Sequence, residues 1–481
     1  MTYPILILKR ISIFTLLLAA LSFTANAQQV ISLQQAVDST IKNNLTIKQA
    51  QITERSATED YKQSRYNLLP NLNANPQAGY YFGRSQVGGQ LAYANTVFNV
   101  NGQVSAAVTL FQGGQLRNQV LQNRLILDVD KTNTAKIKND LLLNVITDYL
   151  AILADQDLVV AARQQIALAN ITVDRAQKNF EAGNQTRADL AQAQAQVSTA
   201  QLNLTNAQNQ ADLATLILKQ YMEMDPAKQI VVEKPDISKL TDVKTIYDAS
   251  EVIRTAFVTN PDIHLAELQQ QTYAQAIKIA QGNYYPTLSL FGGLGSTFSN
   301  KAFYQAGSTP AAKEIIGNVQ GTGQLVETPI AVSQPIYSSN YPFVTQFRNN
   351  FNQSLGLSLQ IPIFNRFLAR TSVRKAKLNY EYAELTTQLA KNTLSKTIIQ
   401  AVLDLQAAEK SYLSAQQTFN SNKEALNVTK QRYDAGLENT LNYNTSLTNY
   451  NKSQNDMIEA RYQVIFRSKV IDYYLGNPIT L

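Results

Sequence analysis

Chemistry near neutral pH needs side chains that this chain scarcely has. Its 481 residues include one histidine, His264, and no cysteine. Most acid–base, nucleophilic and zinc chemistry depends on those two residue types. His264 falls one turn into a helix start and has no cysteine or second histidine to act with. Gly292–Ser296 reads GGLGS and superficially resembles a phosphate-binding loop, but no helix follows it and it sits inside a strand pattern. No pair of carboxylates stands in a loop context suited to glycan hydrolysis. Without cysteine there can be neither a disulfide nor a thiolate metal site. The basic residues behind the net charge of +7 are scattered. They form no aromatic-interleaved run of the kind that binds nucleic acid. The expectation is a protein that is not an enzyme and has no cofactor, no metal site and no nucleic-acid partner.

What the residues do instead is repeat. FEAGN begins at Phe180 and YDAGL at Tyr433, with Gly183 and Gly436 standing 253 positions apart. The same offset relates Phe111 to Phe364, Arg117 to Arg370, Ile146 to Ile399 and Tyr221 to Tyr474. Upstream, Asn44, Asn67, Pro70 and Phe82 match Asn260, Asn283, Pro286 and Phe298 at an offset of 216. The second half therefore carries 37 extra residues in a Gly/Ser/Thr/Pro-rich stretch, and the chain is a tandem duplication. Its organisation reads as a leader over 1–27, a first repeat over 28–247, and a second over 248–481 with an enlarged loop at 299–353.

The leader has a basic flank at Lys9 and Arg10, an apolar stretch from Ile11 to Phe23 and a small-x-small site at Ala25-Asn26-Ala27. That is the pattern of a secretory signal peptide, with the mature chain starting at Gln28.

Each repeat holds a run of 68 or 69 residues without Gly or Pro (115–182 and 367–435), then Ala-Gly, then a second run of 39 (184–222 and 437–475). As helix the long run would span about 100 Å, and the glycine suits the left-handed residue that ends a helix. Both turns therefore read as tips of long antiparallel hairpins. On the returning segment Leu190, Ala193, Val197, Ala200, Leu204, Ala207, Ala211, Ala214, Leu218 and Tyr221 form a heptad seam. Its copy, Tyr443 to Tyr474, is looser and is broken by Arg467. A third helix, Leu45–Leu69 and its copy Pro261–Tyr285, could stack end to end with the returning one.

After each proline the period becomes two. Leu72–Phe82, Val100–Leu110, Leu288–Phe298 and Leu355–Phe364 predict four strands in two pairs. Alternation alone fits a half-buried soluble sheet equally well. The leader, the aromatic strand ends (Tyr80, Tyr81, Phe82, Phe111, Phe364) and the long polar loops favour membrane-barrel strands. Four strands cannot close a barrel, and lipid tolerates no open edge, so such a barrel must be shared between chains. A coiled-coil adaptor without a barrel would explain the hairpins but not the duplicated strands.

The ordered set NNL/NPD, LLPNL/YYPTL, VTLFQGGQ/IPIFNRF and FEAG/YDAG resembles the TolC-like outer membrane efflux protein family over nearly the whole chain. The resemblance implies an α+β membrane protein. Duplicated coiled-coil hairpins would form a periplasmic α-barrel, and four strands per chain would join a 12-stranded outer-membrane β-barrel in a homotrimer. Residues 223–259 and the chain ends would form a belt. Its implied partners are outer-membrane lipid, a periplasmic adaptor (membrane fusion) protein and an inner-membrane pump of RND, ABC or MFS type, in efflux or type I secretion. It places a periplasmic gate at Asp189 and Tyr433, with Asn442 and Glu438 beside it. Adaptor-contacting tips fall at Ala182, Gly183, Ala435 and Gly436. The chain departs from the family pattern at Ala188, Glu438, Asn442 and Thr445, which weakens a full salt-bridge lock and an acidic ring.

Overall fold

The computed structural model describes residues 29–83, 85–87, 90–92, 96–235 and 245–477. The leader, and part of the expected belt at 236–244, lie outside the described residues. In chain order come β1 (Gln29–Ile31), α1 (Leu33–Asn43), α2 (Leu45–Tyr66), β2 (Asn71–Phe82), β3 (Ser85–Val87), β4 (Gln90–Ala92), β5 (Thr96–Gln112), α3 (Gln115–Glu181), α4 (Arg187–Tyr221) and β6 (Ile230–Val232). Then follow α5 (Ala249–Thr259), α6 (Pro261–Gln281), β7 (Thr287–Ser299), β8 (Tyr304–Ser308), β9 (Ile315–Asn318), β10 (Leu325–Glu327) and β11 (Pro335–Ser338). The last elements are α7 (Phe343–Asn349), β12 (Asn352–Gln360), α8 (Leu368–Asp434) and α9 (Thr440–Leu475). The two long helices have 67 residues each, filling the breaker-free runs. The described residues divide into two compact units, those within 29–58, 125–271 and 381–477, and those within 59–124 and 272–380. Each repeat contributes to both.

The first unit is helical. Around Tyr149 one core gathers Ile31, Val145, Ile146, Leu153, Leu218 and Ile465. A second gathers Val252, Ala256, Leu394, Ile398, Leu405 and Ile471. Val145 and Ile398 are repeat mates, so the cores are two editions of one arrangement. On α4 the alanines 193, 200, 207 and 214 are buried, one per heptad. The small side chains let a neighbouring helix approach closely. On α9 the expected seam is only part of the buried surface. Tyr443, Ser453, Val464 and Ile471 are buried, but so are Leu447, Ile458, Tyr462 and Ile465. The second stripe exists because α9 packs into both cores, Ile458 and Ile465 in the first, Val464 and Ile471 in the second. Arg467 pairs with Asp404 of α8 at 3.0 Å.

Asn44 shows how the two shorter helices of the first repeat are joined end to end. Its Oδ1 accepts from Thr46 N (2.9 Å), capping α2, while its Nδ2 donates to Tyr221 O (3.1 Å) at the end of α4. One side chain satisfies an orphan group on each helix. β1 pairs in parallel with β6, and the Tyr149 hydroxyl lies 3.1 Å from Ile31 O and 2.7 Å from Glu233 O, stapling the two strands. Nearby, Asp157 accepts from Arg461 Nη2 (2.7 Å), Tyr462 Oη (2.9 Å) and Lys234 Nζ.

Asp148 is a different case. Its Oδ2 is buried without a hydrogen-bond partner, and burial pushes its carboxyl up to about 6 from an ordinary 3.8. Between roughly pH 4 and 6 the folded chain then holds a proton that the unfolded chain has lost, so stability falls as pH rises through that window. The second repeat has Ala401 at the matching position, where it is buried. Asp148→Ala should therefore raise the unfolding temperature at pH 7 and flatten its dependence on pH between 4 and 6, measured by circular dichroism.

The second unit contains an antiparallel sheet of order β12-β7-β5-β2. Register places Leu72, Ala74, Ala78 and Tyr80 on one face with Phe98, Val100, Val104, Ala106, Val108, Leu288, Leu290, Leu294, Phe298, Leu355, Leu357 and Leu359. The other face carries Asn71, Asn73, Asn75, Gln77, Asn99, Asn101, Gln103, Ser289, Ser354 and Ser358. GGLGS lies within β7, as its context indicated. The strands start and finish at the helices on one side; at the other, Phe82 ends β2 opposite Thr96 at the start of β5, and β7 ends at Ser299. β2 and β12 are open edges. The last strand is shorter than its alternation implies: β12 stops at Gln360, opposite Thr287 where β7 begins. Ile361–Phe364 continue the pattern without a partner, and Pro362 could donate no ladder bond.

The enlarged loop is not irregular. β8 pairs with β11 and β9 with β10 as an extended hairpin, and α7 returns to the sheet.

The duplication is also written in the backbone. Gly113 and Gly114, between β5 and α3, have φ of 57° and 75°. Their repeat mates Arg366 and Phe367 hold φ of 54° and 60° without being glycine.

Candidate functional site: the helical hairpin tips

Both hairpins end identically. Asn184 N donates to Asn179 O (2.8 Å) and Gly183 N to Phe180 O (3.0 Å). Leu437 N donates to Arg432 O (2.8 Å) and Gly436 N to Tyr433 O (3.1 Å). This is the Schellman closure, and it needs a left-handed residue, supplied by Gly183 (φ 77°) and Gly436 (φ 73°). A Cβ at either glycine would meet nothing within 4 Å, so conformation and not crowding requires glycine there. Ala182 and Ala435 beside them are exposed.

Each returning helix then begins with a side-chain cap. Thr186 Oγ1 accepts from Asp189 N (3.2 Å), and Asp189 Oδ2 accepts from Thr186 N (3.0 Å) and from the Thr186 hydroxyl (2.7 Å). The hydroxyl bond first, then the backbone N–H, holds the Asp189 carboxyl below its usual range. In the copy Asn439 Oδ1 accepts from Asn442 N (2.8 Å), and Asn442 Nδ2 donates to Glu438 Oε1 (2.7 Å). That amide, then Asn439 N and Arg432, holds the Glu438 carboxyl below its ordinary value.

Tyr433 is buried and stacked on Tyr443, with ring centroids 4.9 Å apart and planes at 11°. Among the described residues, Asp189 and Tyr433 share no hydrogen bond. Gln185 and Thr440 stand between them. Gln185 Nε2 donates to Tyr433 Oη (2.7 Å) and to Thr440 Oγ1 (3.1 Å), and the Thr440 hydroxyl lies against the Asp189 carboxylate. The hairpins are also tied by an ion pair of Arg175 with Asp434, and Arg175 sits 5.8 Å over the Tyr433 ring. Both partners of that pair are about a third exposed, so it contributes less than about 1 kcal/mol.

Gln185, Thr440, Arg175 and Asp434 were not singled out from sequence. Gln185 could have been, because its repeat mate is Glu438, and Thr186 and Asp189 likewise match Asn439 and Asn442. The Arg175–Asp434 pair joins different hairpins and leaves no spacing signal. His264, one turn into α6, has Nε2 2.7 Å from Val258 O, a structural contact.

Long helical hairpins together with a two-faced sheet are the elements also found in a class of membrane channel proteins. The chain belongs to the outer membrane efflux protein family, whose model matches residues 36–222 and 252–477. It is 21% identical over 473 residues to the outer membrane protein TolC of Escherichia coli (strain K12), covering 95% of this chain and 85% of that one. Its fold is similar to solved CusC, with a TM-score of 0.75 at 14% identity over 94% of both chains. The Campylobacter jejuni CmeC outer membrane channel gives 0.72 at 17% identity, over 92% of this chain and 85% of that one. The protein is an outer membrane channel and not an enzyme. No described helix is long and apolar enough to cross a membrane.

Proposed function

We propose that three copies of this chain form one exit duct. Their twelve strands would close a barrel in the outer membrane, and their helical repeats, 28–247 and 248–481, would form a periplasmic tube. The observation that carries this is the sheet: one face apolar, the other Asn-, Gln- and Ser-rich, and both edges open. Lipid on one side and water on the other is the environment that pattern fits, and only shared closure removes the edges. The relatives include a toxin and drug export protein A of Aggregatibacter actinomycetemcomitans, in keeping with passive export in a tripartite efflux or type I secretion system. A periplasmic adaptor would grip the exposed turns at Ala182–Gly183 and Ala435–Gly436, with an inner-membrane pump supplying substrate. Asp189, Gln185, Thr440 and Tyr433, with Glu438 and Asn442, would form the resting closure. Its bonds are neutral or exposed, so it can be released.

The test is planar-bilayer conductance of the purified protein, with its mass in detergent. A trimer with small, steady conductance is expected, rising several-fold in Gln185→Ala combined with Asp189→Ala. A non-conducting monomer would refute the duct. A conducting trimer unchanged by the double substitution would refute this gate.

A further inference from the structure

At the loop end of the sheet the strands do not finish level. β5 and β7 pair as far as Asn99–Ser299, but β12 begins only at Asn352, opposite Gly295. Four residues of β7, Ser296–Ser299, thus run past the last rung of β12. Helix α7 fills those rungs. Asn350 Nδ2 donates to Thr297 O (2.7 Å). The Gln346 carboxamide donates to Ser299 O (3.0 Å) and accepts from Ser299 N, as the peptide group of an adjacent strand would. Ser296 Oγ donates to Phe347 O. Gln346 is only 1% exposed, so its amide is committed to this edge.

The same helix completes the apolar face. Tyr80 and Phe98 have ring centroids 4.8 Å apart, Phe98 and Phe298 6.4 Å, Phe298 and Phe343 4.9 Å, and Phe343 and Phe347 5.4 Å. One row of rings crosses β2, β5 and β7 and ends on α7, where β12 does not reach. The Phe347 ring takes the space over Gly102, where a Cβ would come within 3.1 Å of it.

The row is open at both ends. On β2 it ends with Tyr80, 64% exposed, near Phe82, 81% exposed; on α7 Phe343 and its neighbour Val344 are 47% and 76% exposed. β2 has 12 residues and β12 nine. Against β2 of a second copy, β12 therefore leaves at least three β2 residues without a rung, and the loop end of β2 is Tyr80–Phe82.

We propose that α7 stands in for the missing end of β12 and is the seam with the next copy of this chain. There Phe343 and Val344 receive Tyr80 and Phe82 of the next copy's β2, making the row of rings continuous around the barrel. The 37-residue insertion thereby gains a role in assembly. This rests on the shared-barrel reading above.

The chain has no cysteine, so introduced thiols report without background. The pairs Phe82→Cys with Val344→Cys and Tyr80→Cys with Phe343→Cys are oxidised in the detergent-purified protein and run on non-reducing gels. Leu72→Cys with Ala106→Cys, cross-strand partners within one chain, serves as the positive control. Covalent dimers and trimers from at least one seam pair, absent from each single variant, are expected. If the protein is a trimer by mass and the control pair oxidises, but neither seam pair links chains, α7 faces lipid and the inference is wrong. If the cysteine-free protein is not a trimer, the shared barrel itself fails and the seam with it.

Discussion

Gly113→Ala is expected to prevent accumulation of folded protein in the outer membrane, while Gly114→Ala is expected to be tolerated. Both glycines are left-handed, so each alanine would carry a conformational strain of about 1–2 kcal/mol. The difference is space. A Cβ on Gly113 would stand 2.5 Å from Gly282 O and 2.9 Å from both Gly282 Cα and Tyr285 Cβ. On Gly114 its nearest neighbour is Asn118 Nδ2 at 3.5 Å. The Gly113 clash is with backbone that cannot rotate away, so relief would require moving β5 from the start of β7. Quantifying heat-resistant oligomer in membrane fractions separates the two, and equal yields would mean that the close approach does not matter. The second repeat supplies the converse. Arg366→Gly and Phe367→Gly should each stabilise by up to about 1 kcal/mol, because those side chains hold the same conformation under strain.

Asp157→Ala should lower stability by about 3 kcal/mol. Asp157 is 9% exposed and takes Arg461 and Tyr462 on one oxygen and Lys234 on the other. Its removal leaves the guanidinium of Arg461, itself mostly buried, without its counter-ion. Stranding one member of a buried pair is strongly destabilising; most of the cost here comes from Arg461, because Lys234 is well exposed. Replacing both members, Asp157→Leu with Arg461→Met, should recover most of the loss. Thermal unfolding of the wild type, Asp157→Leu, Arg461→Met and the double variant forms the double-mutant cycle, and additive losses would show that the two residues do not interact.

The helices were legible in detail because absence is a strong signal: runs of nearly seventy residues without glycine or proline have few alternatives. The strands were legible from alternation and the prolines before them. Alternation says nothing of where a partner ends, and so Ile361–Phe364 read as strand although β7 begins only at Thr287. The insertion read as loop because its pieces, three to seven residues each, are too short for any period to emerge. At the tips, the glycines and the caps follow from local rules. The chain Asp189–Thr440–Gln185–Tyr433 does not, since it joins residues more than 240 positions apart through an amide that local rules leave without a role.

The open edges β2 and β12 bear on inheritance. In the proposed ring of three, each copy would close the sheet of both its neighbours, so one faulty chain would spoil two that are sound. A cell making equal amounts of intact and defective chains would, with random assembly, retain about one ring in eight wholly intact. A lesion at an edge strand or at α7 that still lets the chain enter rings would therefore behave as dominant. A lesion such as Gly113→Ala, which removes the chain before it meets a partner, would be recessive.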